Sequence, residues 1–155
     1  MKVIKKVLIV LLIVLVIIQF FRPEKNIADQ PIAAFFESET QASAEIVTIL
    51  ESKCYDCHSN NTKYPWYAEV APISYWIDGH IEEGKEHFNV SDWASFDIEK
   101  KEHKMEEFVE EVEEGKMPED SYTWIHGNLS DGEKEKIIEW GKKVRLSYKR
   151  EMEGK

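Results

Sequence analysis

Cys54-Tyr55-Asp56-Cys57-His58 places the chain's only two cysteines three residues apart, with a histidine directly behind the second. Residues three and four apart share one helical face, so both thiols and the imidazole of His58 can point at a single ligand. Cys-x-x-Cys-His is the attachment pattern of c-type haem. In this chemistry Cys54 and Cys57 form thioethers with the two vinyl groups on one haem edge, and His58 lies beneath the ring as the proximal iron ligand.

Three other uses of the motif are weaker. A disulfide would close so short a loop that it constrains the unfolded chain little. A thioredoxin-like redox pair belongs beside a strand-helix-strand unit, which the sequence does not show. Zinc needs a third and fourth ligand, and only histidines or carboxylates remain to supply them. A non-haem dithiol or zinc-binding structural protein is therefore a further alternative.

Low-spin haem iron takes a sixth ligand, commonly a methionine sulfur or a second histidine. Met117 stands in Gly115-Lys116-Met117-Pro118, where a helix ends and a stiff segment can carry sulfur over the ring. It is the expected distal ligand. His80 is one rival, because it falls on the apolar face of a helix where an unpaired imidazole needs a partner; it could equally bond a haem propionate or a backbone carbonyl. His126 is the other rival. Met105 reads as core filler, Met152 as part of a fraying tail, and His87 and His103 as solvent-facing.

The elements that position these groups read as helical throughout, with no persistent alternating pattern. A first helix is expected from about Ser43 into the cysteine motif, and a second from near Pro72, with Ile73, Trp76, Ile77, His80, Ile81 and Gly84 in helical period. A third covers about Asp97 to Glu114 and ends at Gly115. The last opens at Ser130-Asp131-Gly132-Glu133, a capping-box sequence, and carries Gly141, a place for another helix to approach closely. Five tryptophans in so small a domain suggest the lining of something large and flat.

Ahead of this domain, Lys2, Lys5 and Lys6 precede an apolar run that reaches Phe21, broken only by Gln19. From Val3 to Phe21 a helix would be about 28 Å long, close to the roughly 30 Å hydrocarbon core of a bilayer. The run ends in Phe20-Phe21-Arg22-Pro23 rather than in small residues of the Ala-x-Ala kind, which favours an uncleaved anchor over a signal peptide. Residues Arg22 to Thr40, with two prolines and scattered charges, read as a tether. The formal net charge is −10; beyond the three basic residues of the anchor, 17 Lys and Arg face 30 Asp and Glu. Nucleic acid is thereby disfavoured as a partner, since phosphate binding needs the opposite sign. The same acidic surface could steer a basic redox partner.

Several stretches together resemble a family. Cys54 to Ser59, Tyr64-Pro65-Trp66-Tyr67, His80-Ile81-Glu82-Glu83-Gly84 leading to Phe88-Asn89-Val90-Ser91-Asp92-Trp93, Met117-Pro118 with Tyr122 and His126, and Leu129-Ser130 before Trp140 look like the bacterial haem-binding domain proteins, small anchored relatives of cytochrome c. The likeness covers most of residues 43 to 145. Lys85 departs from an arginine often found there, and Gly127 from a proline. The resemblance implies His58 as proximal and Met117 as distal ligand.

The expectation is then an all-α, cytochrome c-like domain of about four helices around one haem, preceded by a single N-terminal transmembrane helix. Residues 1–22 form the anchor, 23–42 the tether and 43–152 the haem-binding domain. The expected function is haem binding and single-electron transfer by a membrane-anchored monohaem c-type cytochrome. Its N-terminus is cytoplasmic, its haem domain in the periplasm or outside, and its partner an extracytoplasmic redox protein. No acid, base or nucleophile set stands beside the motif, so a carrier is favoured over an enzyme. The alternative is a haem-based sensor or peroxidase-like enzyme with a weak or open sixth iron position.

Overall fold

Ser43, Asp97 and Ser130 each start a helix by accepting a backbone N–H three residues on, which satisfies one of the free donors of the first turn. The computed structural model describes residues 2–28 and 33–154. Among these residues it is all-helical: α1 Lys2–Ile18, α2 Ala34–Glu39, α3 Ala44–Lys53, α4 Tyr55–His58, α5 Ile73–His87, α6 Ile98–Glu113, α7 Asp120–His126 and α8 Asp131–Glu153. Short 3-10 turns lie at Trp66–Glu69 and Val90–Ser95. The four expected helices are α3, α5, α6 and α8. The capping box at Ser130 is complete, with Glu133 reaching back to the Ser130 N–H at 2.8 Å. Gly115 ends α6 with φ of +75°. Its N–H and that of Lys116 close on the carbonyls of Val112 and Glu111, the paired bonds of a glycine-terminated helix.

The largest packed unit is α6 against α8. Gly141 makes their crossing possible, since a Cβ there would lie 2.8 Å from Val109 Cγ2. Around this pair the core gathers Phe36, Leu50, Trp93, Met105, Ile137, Trp140 and Tyr148.

Two expectations change. The segment read as a tether is built into the domain on both sides of residues 29–32, which lie outside the described residues. Phe36, on α2, is 0% exposed and sits edge-on to Phe88, Trp93 and Trp140. Upstream, Asn26 donates to the Ser59 carbonyl at 2.8 Å and the Thr62 hydroxyl at 3.0 Å, and Ile27 pairs with Asn61. Proline and charge mislead here because the segment contributes few apolar residues, and one of them fills the centre of the core.

The second concerns α1. It stops at Ile18, where the N–H groups of Gln19, Phe20 and Phe21 tighten onto carbonyls three residues back. Its 17 residues span only about 26 Å, and among the described residues no helix is long and apolar enough to cross a membrane. Tryptophan use also differs from expectation: Trp93 and Trp140 are buried in the core, whereas Trp66, Trp76 and Trp124 are exposed.

Candidate haem site

The cysteine motif does not continue α3. The backbone breaks at Cys54 (φ −125°, ψ −46°) and a separate turn, α4, follows. His58 N–H closes that turn on the Cys54 carbonyl at 3.0 Å. Two of its carbonyls are taken by side chains, Ser59 Oγ donating to that of Tyr55 at 2.7 Å and Thr62 Oγ1 to that of Asp56 at 2.6 Å. So short a helix cannot hold itself; these hydroxyls, with Asn26 behind them, fix the loop that presents Cys57 and His58.

Helix α5 supports the motif from behind. A Cβ on Gly84 would fall 2.8 Å from the Cys57 carbonyl oxygen and 3.1 Å from Cys57 Cβ, so only glycine permits this contact. The approach brings two carbonyls to one imidazole nitrogen: His58 Nδ1 is 2.9 Å from Gly84 O and 2.8 Å from Phe88 O. Carbonyls only accept, so Nδ1 carries the proton and Nε2 keeps its lone pair. Burial pushes the His58 pKa below the ordinary histidine value, against the opposing pull of the Phe88 and Gly84 carbonyls. The ring is thus held neutral, oriented by its outer nitrogen, with its inner nitrogen ready for a metal.

Both cysteines are free thiols. Burial drives each pKa up to about 12, reinforced by the neighbouring Cys57 for Cys54 and by Asp56 and Glu119 for Cys57. Redox-active dithiols have depressed pKa values and electropositive surroundings, so the dithiol alternative loses ground. Among the described residues no group of three or more His, Cys, Asp or Glu side chains is gathered to hold a metal ion.

On the other side α7 lies across the motif. Tyr122 donates to Asp56 Oδ2 at 3.0 Å and to the Ser52 carbonyl at 3.2 Å. Lys53 Nζ caps the C-terminus of α7, bonding the carbonyls of His126 and Gly127 at 2.8 and 3.0 Å. The His126 ring stacks on Tyr122, centroids 4.2 Å apart, and its Nε2 meets the Tyr67 hydroxyl at 2.9 Å. That nitrogen is already engaged.

Met117 lies between the Gly115 turn and α7, 37% exposed, with its N–H bonded to Glu111 O at 3.1 Å. Two residues on, Glu119 meets His80 Nδ1 at 3.0 Å. The other nitrogen of His80, Nε2, is buried and unpartnered. His87 and His103 are exposed, as expected, and Met105 is fully buried in the core. Glu119 is a site group that sequence reasoning misses. Tyr67, Gly84, Phe88 and Tyr122 stand in the family-like stretches, but the sequence assigns them no role: two act through their backbone carbonyls and two through hydroxyl bonds to distant residues.

The haem-binding domain family matches residues 13–143. The chain belongs to this family. No curated protein and no solved structure matches it. Haem is accordingly its cofactor, and the local chemistry fits: an oriented imidazole with a free nitrogen, two protonated thiols beside it, and a glycine contact that seats Cys57 against α5.

Proposed function

We propose that this member of the haem-binding domain family holds its haem covalently, through Cys54 and Cys57, and acts as a single-electron carrier. His58 is the proximal ligand and Met117 the distal one. The observation that carries this reading is the His58 ring, pinned through Nδ1 by Gly84 and Phe88 with Nε2 left free.

When bound, haem supplies an iron centre that takes up and gives back one electron. The chain's own residues do the rest. The two carbonyls on Nδ1 fix the tautomer and raise the basicity of Nε2. Cys54 and Cys57, on a turn locked by Ser59 and Thr62, set the position of one haem edge. Met117, on the short segment between the Gly115 turn and α7, would supply the sixth ligand; His80 belongs to α5, the helix whose Gly84 carbonyl holds His58 Nδ1, and its own Nδ1 is engaged by Glu119. His126 is disfavoured by its bond to Tyr67.

Membrane attachment through α1 is part of the proposal, since Val3 to Ile17 include no buried side chain. The topology proposed with it, haem domain outside the cytoplasm and N-terminus inside, requires the bilayer to thin by the few ångströms that the 17 residues of α1 lack against a roughly 30 Å core. The acidic surface suits a basic redox protein as partner. The test is an absorption spectrum with a redox titration of the purified protein. Low-spin iron in both states and one reversible electron agree with a carrier. High-spin iron that binds carbon monoxide when reduced, or peroxide when oxidised, overturns it in favour of a sensor or peroxidase.

A further inference from the structure

Helix α1 is clamped to the domain. The Gln19 amide makes a two-way contact with the backbone of Ala71, Nε2 to the carbonyl at 2.9 Å and the Ala71 N–H to Oε1 at 3.0 Å. Ala71 is fully buried. Beside this contact the Tyr75 hydroxyl donates to the Phe21 carbonyl at 2.6 Å, and Arg22 and Lys25 both pair with Glu69. The helix direction is therefore set by the domain, and what surrounds α1 also meets the domain at this end.

Beside these ion pairs the clamp also carries a set of exposed apolar side chains. Phe20 is 81% exposed and Trp76 50%, and Phe21, Val70, Ile73 and Tyr75 are exposed with them. They continue the bare apolar surface of α1 directly onto α5 and the loop before it. Single exposed apolar residues are ordinary, but a contiguous set needs a partner. Aromatic rings of this kind settle at the boundary between lipid and water. The length of α1 agrees: at about 26 Å it falls short of a roughly 30 Å core, and an apolar face seated at its end meets the bilayer where it thins.

We infer that the face formed by Phe20, Phe21, Val70, Ile73, Tyr75 and Trp76 is seated on the lipid surface of the bilayer, so that the haem domain is docked on the membrane in one orientation. This rests on the membrane attachment proposed above for α1. The experiment uses the full chain carrying the photoreactive residue p-benzoylphenylalanine in place of Leu12, Trp76 or Leu146, in vesicles of phosphatidylethanolamine and phosphatidylglycerol. Leu146 is exposed on α8, which packs on α6 and α3. Positions 12 and 76 are expected to give lipid adducts on illumination, and position 146 none. Gln19→Ala should lower the adduct at position 76 several-fold and leave that at 12 unchanged. Adducts at 12 but none at 76 overturn the docking and leave the attachment intact. No adduct at 12 overturns both. A protein adduct at 76 assigns the face to a second copy or a partner protein and also overturns the inference.

Discussion

The carbonyl oxygen of Gly84 lies 2.9 Å from Nδ1 of His58, and the same glycine is where α5 rests on Cys57. One residue without a side chain thus sets both the height of the cysteine turn and the direction of the imidazole. Gly84→Ala would force its Cβ to within 2.8 Å of the Cys57 carbonyl, and backbone cannot yield cheaply there. The expected loss is about 1–3 kcal/mol of stability, together with weaker haem retention. Gly79, on the same helix, faces open space, with no atom within 4 Å of where a methyl group would stand; Gly79→Ala should be neutral or stabilising by up to about 1 kcal/mol. Denaturant midpoints of the two variants check the contrast.

Phe36→Ala tests whether α2 belongs to the domain. Its ring contacts Phe88, Trp93 and Trp140 with no exposure, so its removal should cost about 3–5 kcal/mol. A loss well under 1 kcal/mol in thermal or denaturant unfolding would return this segment to the status of a tether.

How much of the fold is legible in the residues depends on range. Caps are local: Ser43, Asp97, Gly115 and the Ser130–Glu133 pair act within a few residues, and each stands where the sequence places it. The close helix crossing at Gly141 is likewise signalled by a glycine within an apolar period. Long-range partners are not legible. Phe36 sits among prolines and charges, and its neighbours Phe88, Trp93 and Trp140 are far away in sequence. At the site, the motif marks Cys54, Cys57 and His58, but the groups that orient them are backbone carbonyls of Gly84 and Phe88 and a tyrosine on α7. A carbonyl acceptor leaves no residue-type signal. Hydropathy misplaces the end of α1 because it treats Gln19 as one polar residue in an apolar run, whereas its amide is recruited by Ala71.

The acid limb of stability should depend on Glu39. Burial raises its pKa, but hydrogen bonds from Lys101 at 2.9 Å and Tyr148 at 2.7 Å outweigh that, and the net shift is downward from 4.5. A carboxyl with a lowered folded-state pKa contributes stability that is full above its unfolded value and is lost as pH falls through the folded one. Glu39→Gln should therefore be less stable than the parent near neutral pH, with the gap closing below about pH 4.5. Urea unfolding across that range gives the answer, and a gap that widens on acidification would show the sign to be wrong.

Met117→Ala should leave the haem attached but remove the sulfur-to-iron charge-transfer band from the near-infrared spectrum of the oxidised protein. It should also lower the reduction potential, because a neutral thioether favours ferrous iron. If the parent lacks that band and His80→Ala converts its iron from low to high spin, the sixth ligand is His80.

Covalent attachment of haem at Cys54 and Cys57 is the step on which the carrier function stands. Denaturing gel electrophoresis followed by haem peroxidase staining, on the full chain made in cells that supply c-type maturation, tests it most directly. The prediction is a stained band near 18.2 kDa whose haem resists acid-acetone extraction, with staining lost in the Cys54→Ala, Cys57→Ala double variant. An unstained parent band whose haem passes entirely into acid-acetone would contradict it.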